Sequence, residues 1–200
     1  TLPLLCLSPG DGKSETHHVP GEYATIQSAM LDSSPGDTVL VACGTHYEHD
    51  ITVLSGVTVA GETGDPGCVT IDAQQQGRVF LCLDVSQETS FTGLTITNGR
   101  PLYGRGGGMI CTNSSPRITD VAFRDNAAYY SGGGLHCEEG SSPELHRVEF
   151  IGNSAGWGST GAGYTGGGMC CRVGCSPTIQ ECRFVGNHAY DDGGGLCCIG

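Results

Sequence analysis

SSPRITDVAFRDNAA, residues 114–128, decides the fold, because the chain writes nearly the same sentence twice more: SSPELHRVEFIGNSA at 141–155 and CSPTIQECRFVGNHA at 175–189. The phenylalanines Phe123, Phe150 and Phe184 recur at steps of 27 and 34 residues, and the glycine triplets beginning at Gly106, Gly132, Gly166 and Gly193 step by 26, 34 and 27. A self-similar period of this size is the mark of a solenoid. The longer step coincides with the Gly/Ser-rich GWGSTGAGYT, 156–165, where a loop can grow without disturbing strands.

Within each copy the apolar residues fall in short alternating runs that suit strands, and no helical period is sustained. Ile118, Val121 and Phe123 are answered by Leu145, Val148 and Phe150, then by Ile179, Cys182 and Phe184. After the triplets come MIC, LHC, MCC and LCC, which put Met109/Cys111, Leu135/Cys137, Met169/Cys171 and Leu196/Cys198 on one face. Strands this short cannot bury a face alone, but stacked in register they make one continuous core. Each repeat is therefore one coil of a parallel β-solenoid, rising about 4.8 Å.

The remaining columns agree with that stacking. Arg117 lies one repeat from Glu144, Asp120 from Arg147, Arg147 from Glu181 and Glu149 from Arg183, so opposite charges meet where neighbouring strands favour them. Asn126, Asn153 and Asn187 each follow the repeat phenylalanine by three residues. Asn tolerates left-handed turns and bonds to the Asn above and below, so this column reads as a turn ladder.

GGGL/M followed by FRDN, FIGN and FVGN resembles the GGA-and-FxxN repeat of polymorphic outer membrane proteins and related surface β-helices. The stretch YATIQSAMLDSSPGDTVLVACGTHYEHDITVLSGVTVAGE resembles the entry segment of secreted right-handed parallel β-helix proteins with the pectin-lyase-like fold. The resemblance spans about Gly21 to Gly200 and implies an all-β, right-handed parallel β-helix. Ala24, Ile26, Ala29 and Met30, ahead of a Pro-Gly-Asp stop, predict a short amphipathic capping helix at its N-terminal end. Residues 1–20 read as a polar leader or linker without a strand pattern, and 21–200 as the β-helix domain, regular from about 106 onward. That fold carries lyases, hydrolases, epimerases, adhesins and plain scaffolds, so it does not by itself name an activity.

Composition narrows the partners. Lys13 is the sole lysine, and nine basic against twenty-one acidic residues leave a formal net charge of −12. Such a surface repels nucleic acid and acidic polysaccharides and favours neutral glycans or surface proteins. No stretch approaches the roughly 20 apolar residues of a membrane span, and LPLLCL at 2–7 is too short to count as a signal on its own. Twelve cysteines favour an oxidising compartment, extracellular or at the cell surface.

Few residues offer chemistry. Asp191/Asp192 and Glu138/Glu139 sit in glycine-flanked turns and read as solvated acids, not as the paired carboxylates of a glycosidase. His46, His49 and Asp50 read as an exposed loop, His17 and His18 as leader residues, and His136, His146 and His188 fall in different columns. No catalytic, metal-binding or cofactor-binding residue is assigned. Cys170 and Cys197 point outward from adjacent coils and are the preferred disulfide pair. Trp157 and Tyr164 in the inserted loop are candidates to stack on sugar rings, and Asn113 in NSS is an N-glycosylation acceptor pattern. No cap is read after Gly200. The leading expectation is thus an extracellular structural β-solenoid, a surface or fibre building block that self-associates end to end, with residues 1–20 reaching across. The alternative is a carbohydrate-active enzyme, lyase or hydrolase, or a glycan-binding adhesin.

Overall fold

The computed structural model describes residues 13–156 and 165–199, and every pair of strands in it is parallel. Runs of apolar and β-branched residues supply the strands, and positive-φ Gly, Asn, Asp and Glu positions turn the chain between them. Crossovers between parallel strands are right-handed, and the product is the parallel β-helix expected from the repeats.

Three sheets run along the helix. An eleven-stranded sheet holds the long strands Ser90–Thr97 and Arg117–Arg124. In the next coil the long strand is replaced by the pair Glu144–His146 and Glu149–Ile151, and then by Thr178–Gln180 and Arg183–Val185. The bend lies at Gly93, Asp120, Arg147 and Glu181, all with φ between 51° and 66°. A six-stranded sheet stacks Ile51–Val53, Phe80–Leu83, Met109–Thr112, Leu135–Glu138, Met169–Cys171 and Leu196–Cys198. A narrow third sheet joins Ala127–Ala128, Ser154–Ala155 and His188–Ala189.

Register follows the sequence steps. Phe123 pairs with Phe150 and Phe150 with Phe184, and the rings stack with centroids 5.0 and 4.7 Å apart and planes within 4° and 6° of parallel. Ile118, Leu145 and Ile179 form the second column. The Asn ladder is buried rather than a surface feature: Asn126 Nδ2 donates to Asn153 Oδ1 at 3.0 Å and Asn153 Nδ2 to Asn187 Oδ1 at 2.9 Å, while Asn126 and Asn153 are 0% exposed. The glycine triplets pass this close to the next coil because they lack Cβ. A side chain at Gly107 or Gly133 would collide with carbonyl oxygens of the coil above.

At the N-terminal end the helix spans Ile26–Asp32, capped by Thr25 in a reciprocal bond with Ser28, and buries Ile26, Ala29 and Met30; Ala24 stays outside, before the cap. The Glu48 carboxylate accepts from the backbone N–H groups of Ile26 and Gln27 at 2.7 and 3.1 Å, satisfying two otherwise orphaned donors. One expectation needs correction. Within the supposed leader, Thr16–Val19 is a strand, in register with Thr38–Val41. Its histidine alternation hid the pattern: His17 points inward and bonds Asp37 and Tyr23, a polar solution to an inward position. Among the described residues no helix is long and apolar enough to cross a membrane.

Candidate functional site

The residues that lead into the glycine triplets build the most distinctive surface. Tyr103, Tyr129 and Tyr190 each stand three residues before a triplet, and Tyr130 two before. A triplet fixed against its neighbours by backbone contacts puts the residues that precede it at equivalent positions of the described coils. Tyr103, Tyr130 and Tyr190 are 64%, 37% and 62% exposed, and Leu102 beside them 73%. The Tyr103 and Tyr129 rings meet edge to face at 4.9 Å, as do Tyr129 and Tyr130, and the Arg105 guanidinium lies 5.8 Å from the Tyr130 ring centre. Monomeric surfaces rarely leave contiguous apolar area uncovered without a binding role.

Beneath this ridge lies a polar cluster on the outer side of the six-stranded sheet. Arg105 Nη1 reaches Glu138 Oε2 at 3.4 Å, and Ser131 Oγ bonds His136 Nδ1 at 3.2 Å. His136 is fully buried, and its Nε2, 3.4 Å from Glu138 Oε2, lacks hydrogen-bond geometry and is the one buried side-chain polar atom without a bond among the described residues. Burial pushes the His136 pKa down, whereas the contact with His136 holds the Glu138 carboxyl below its usual range. Next in register stands Cys170, whose thiol lies 3.5 Å from Thr165 Oγ1 and whose pKa burial raises.

This cluster refines one reading. Cys170 does face away from the core, yet it is 0% exposed, because the triplet loop folds over it; the same cover buries His136. Cys170 and Cys197 are in register as expected, and both are thiols here. Among the described residues the bridge present is Cys43–Cys68, joining adjacent early coils with Cα atoms 4.9 Å apart. Its separation of 25 residues, close to one coil, was the available signal.

Other candidates disperse. His46 Nε2 bonds the Ala42 carbonyl at 2.8 Å and His49 Nδ1 bonds Asp50 at 3.0 Å. His46 borders a groove of about 440 Å³ walled by Thr25, Cys43, Tyr47 and Glu48, but no three potential ligands converge on a metal position among the described residues. Glu139, Asp191 and Asp192 are exposed. Asn113 is exposed at a turn, with Nδ2 donating to Asp84 at 2.6 Å. Trp157, Tyr164 and the segment LPLLCL lie outside the described residues.

The charged columns are largely as read. Arg117 pairs with Glu144 at 3.1 Å, and Glu149 with both Arg124 and Arg183 at 3.0 and 3.4 Å. Arg147 forks onto Asp120 with two bonds of 2.7 Å, and that bonding holds the Asp120 carboxyl low. Glu181 instead stands 3.7 Å from His146, whose ring lies 2.7 Å from the remaining Arg147 Nη1.

No family model matches the chain, and no match is found among curated proteins. Among solved structures it is similar to the pectin methylesterase from Aspergillus niger in deglycosylated form, at 14% identity and a TM-score of 0.44, over 96% of this chain and 85% of that one.

Proposed function

We propose that this chain is a glycan-binding β-solenoid working outside the cell, holding a neutral carbohydrate across the column of Tyr103, Tyr129, Tyr130 and Tyr190. The observation that carries the reading is the contiguous group of Tyr103, Tyr129 and Tyr130 rings on two successive coils, Tyr103 and Tyr130 exposed, with Arg105 against Tyr130 and Tyr190 exposed at the equivalent position of a later coil. Tyrosine offers an apolar face and a hydroxyl to a sugar, and Tyr, Trp and Arg are the residues in which binding energy concentrates. Tyr164, two residues before its triplet like Tyr130, extends the pattern in sequence. The net charge of −12 disfavours acidic polymers, and the Cys43–Cys68 bridge accords with an oxidising compartment. The GGG…FxxN resemblance to surface β-helices is in keeping with this role.

Affinity electrophoresis through gels containing β-glucan, xylan or mannan, with pectate and alginate as acidic controls, tests the proposal. At least one neutral polymer should retard the protein, and the Tyr103→Ala/Tyr130→Ala double variant should run free with an unchanged unfolding midpoint. Retardation by the acidic polymers alone, or undiminished retardation of the double variant, counts against it.

A further inference from the structure

The inner face of the six-stranded sheet carries a second column that the glycan surface does not use. Cys82 pairs in register with Cys111, Cys111 with Cys137, Cys137 with Cys171, and Cys171 with Cys198. All five are thiols, and the first four are at most 1% exposed.

We propose that this column is an oxidation site at which disulfides close between successive coils of the solenoid, and never across a skipped coil. The molecule already contains the geometry. Cys43 and Cys68 immediately precede the in-register pair Gly44 and Val69, so their bridge joins equivalent positions of adjacent coils, at a Cα separation of 4.9 Å. Neighbouring rungs of the inner column share that relation, within the range of about 4.4–6.8 Å that a disulfide spans. Rungs two coils apart are about 9.6 Å distant and cannot be joined. Five members in a row accept at most two bridges, leaving one thiol.

The oxidant is a small disulfide such as oxidised glutathione, acting while the coils are still open. A column thiolate attacks one sulfur of the oxidant, forming a mixed disulfide and expelling one glutathione thiolate. The neighbouring thiolate then attacks the protein sulfur of that mixed disulfide, closing the bridge and expelling the second glutathione thiolate. The two thiol protons end on the two released glutathiones, so one oxidant molecule is reduced for each bridge closed. Once the coils stack, burial shields the bridge from reductants.

The test is to refold the reduced 200-residue chain in a glutathione redox buffer, alkylate the free thiols, digest without reduction and map the linked peptides by mass spectrometry. Closure of Cys43–Cys68 in the same sample shows that the buffer oxidises. Within the column, bridges are expected only as Cys82–Cys111, Cys111–Cys137, Cys137–Cys171 and Cys171–Cys198, with an odd number of column thiols alkylated in each molecule. In Cys137→Ser the column divides into two pairs, and Cys82–Cys111 and Cys171–Cys198 should both close. The parent map decides alone should the variant misfold. Five alkylated column thiols beside a closed Cys43–Cys68, or a bridge such as Cys82–Cys137 that skips a coil, would overturn the proposal.

Discussion

Replacing Asn153 with Leu should be among the most damaging single changes in the chain, although it substitutes a turn residue by an apolar one of similar bulk. Asn153 is 0% exposed. Its Oδ1 accepts from the backbone N–H and the side-chain amide of Asn126 at 3.1 and 3.0 Å, and its Nδ2 donates to the Phe123 carbonyl and to Asn187 Oδ1, each at 2.9 Å. Leucine leaves the Asn126 backbone N–H without its acceptor and the Phe123 carbonyl without this donor. A buried polar group left unmade costs about 1–3 kcal/mol, so the two together cost about 2–6 kcal/mol. Against a typical total of about 5–15 kcal/mol this is severe. At an m-value of about 2 kcal/mol/M the urea midpoint should fall by about 1–3 M with the slope unchanged. Asn153→Asp keeps the acceptor for Asn126 but cannot donate when ionised, so its defect should lessen as the pH is lowered and the carboxyl protonates. Asn113→Ala, at an exposed turn, is the control and should stay within about 0.5 kcal/mol of the parent. A Leu variant that unfolds within about 0.3 M of the parent would refute the reasoning, because that shift is below one unsatisfied group.

Three further outcomes follow. Phe150→Ala empties the middle of a three-ring stack and should cost about 3–5 kcal/mol in urea unfolding; a loss below about 1 kcal/mol would mean the column is not packed as described. Asp37, whose carboxyl is held low chiefly by the backbone N–H of Glu15, then by that of Ser34, with His17 adding to this, contributes stability present above the unfolded pKa of about 3.9 and lost as pH falls through the lower folded value. Asp37→Asn should therefore be clearly destabilised at pH 7 and converge on the parent in acid, and a pH-independent difference in unfolding midpoint would contradict that linkage. Cys170 and Cys197, in register on the outer face, should form a bridge detectable in unreduced peptides after oxidative refolding, and both thiols alkylated in that sample would exclude the pair.

The regular coils were legible because each column repeats one residue type: Phe in the core, Asn at the turn, Gly where backbones touch. Period and face then follow from counting. The early coils lack that redundancy, so the strand Thr16–Val19 escaped: an inward His17 looks polar until Asp37 and Tyr23 are in place to receive it. Strand alternation placed His136 and Cys170 outside correctly but could not give their burial, which depends on Ser131 and Thr165 in the loop that covers them. The tyrosine ridge was present as a spacing, three residues before the triplet. Spacing alone does not give exposure, which depends on how the triplet loops pack against one another.

The glycan-binding reading is tested most directly by following the tyrosine ring resonances by NMR during titration with a neutral oligosaccharide drawn from whichever polymer retards the protein, and sizing the oligosaccharide afterwards. The account predicts shifts at Tyr103, Tyr129, Tyr130 and Tyr190, none at Tyr23 and Tyr47 near the N-terminal helix, and an oligosaccharide of unchanged length. Shifts confined to Tyr23 and Tyr47, or a shortened oligosaccharide, would contradict it.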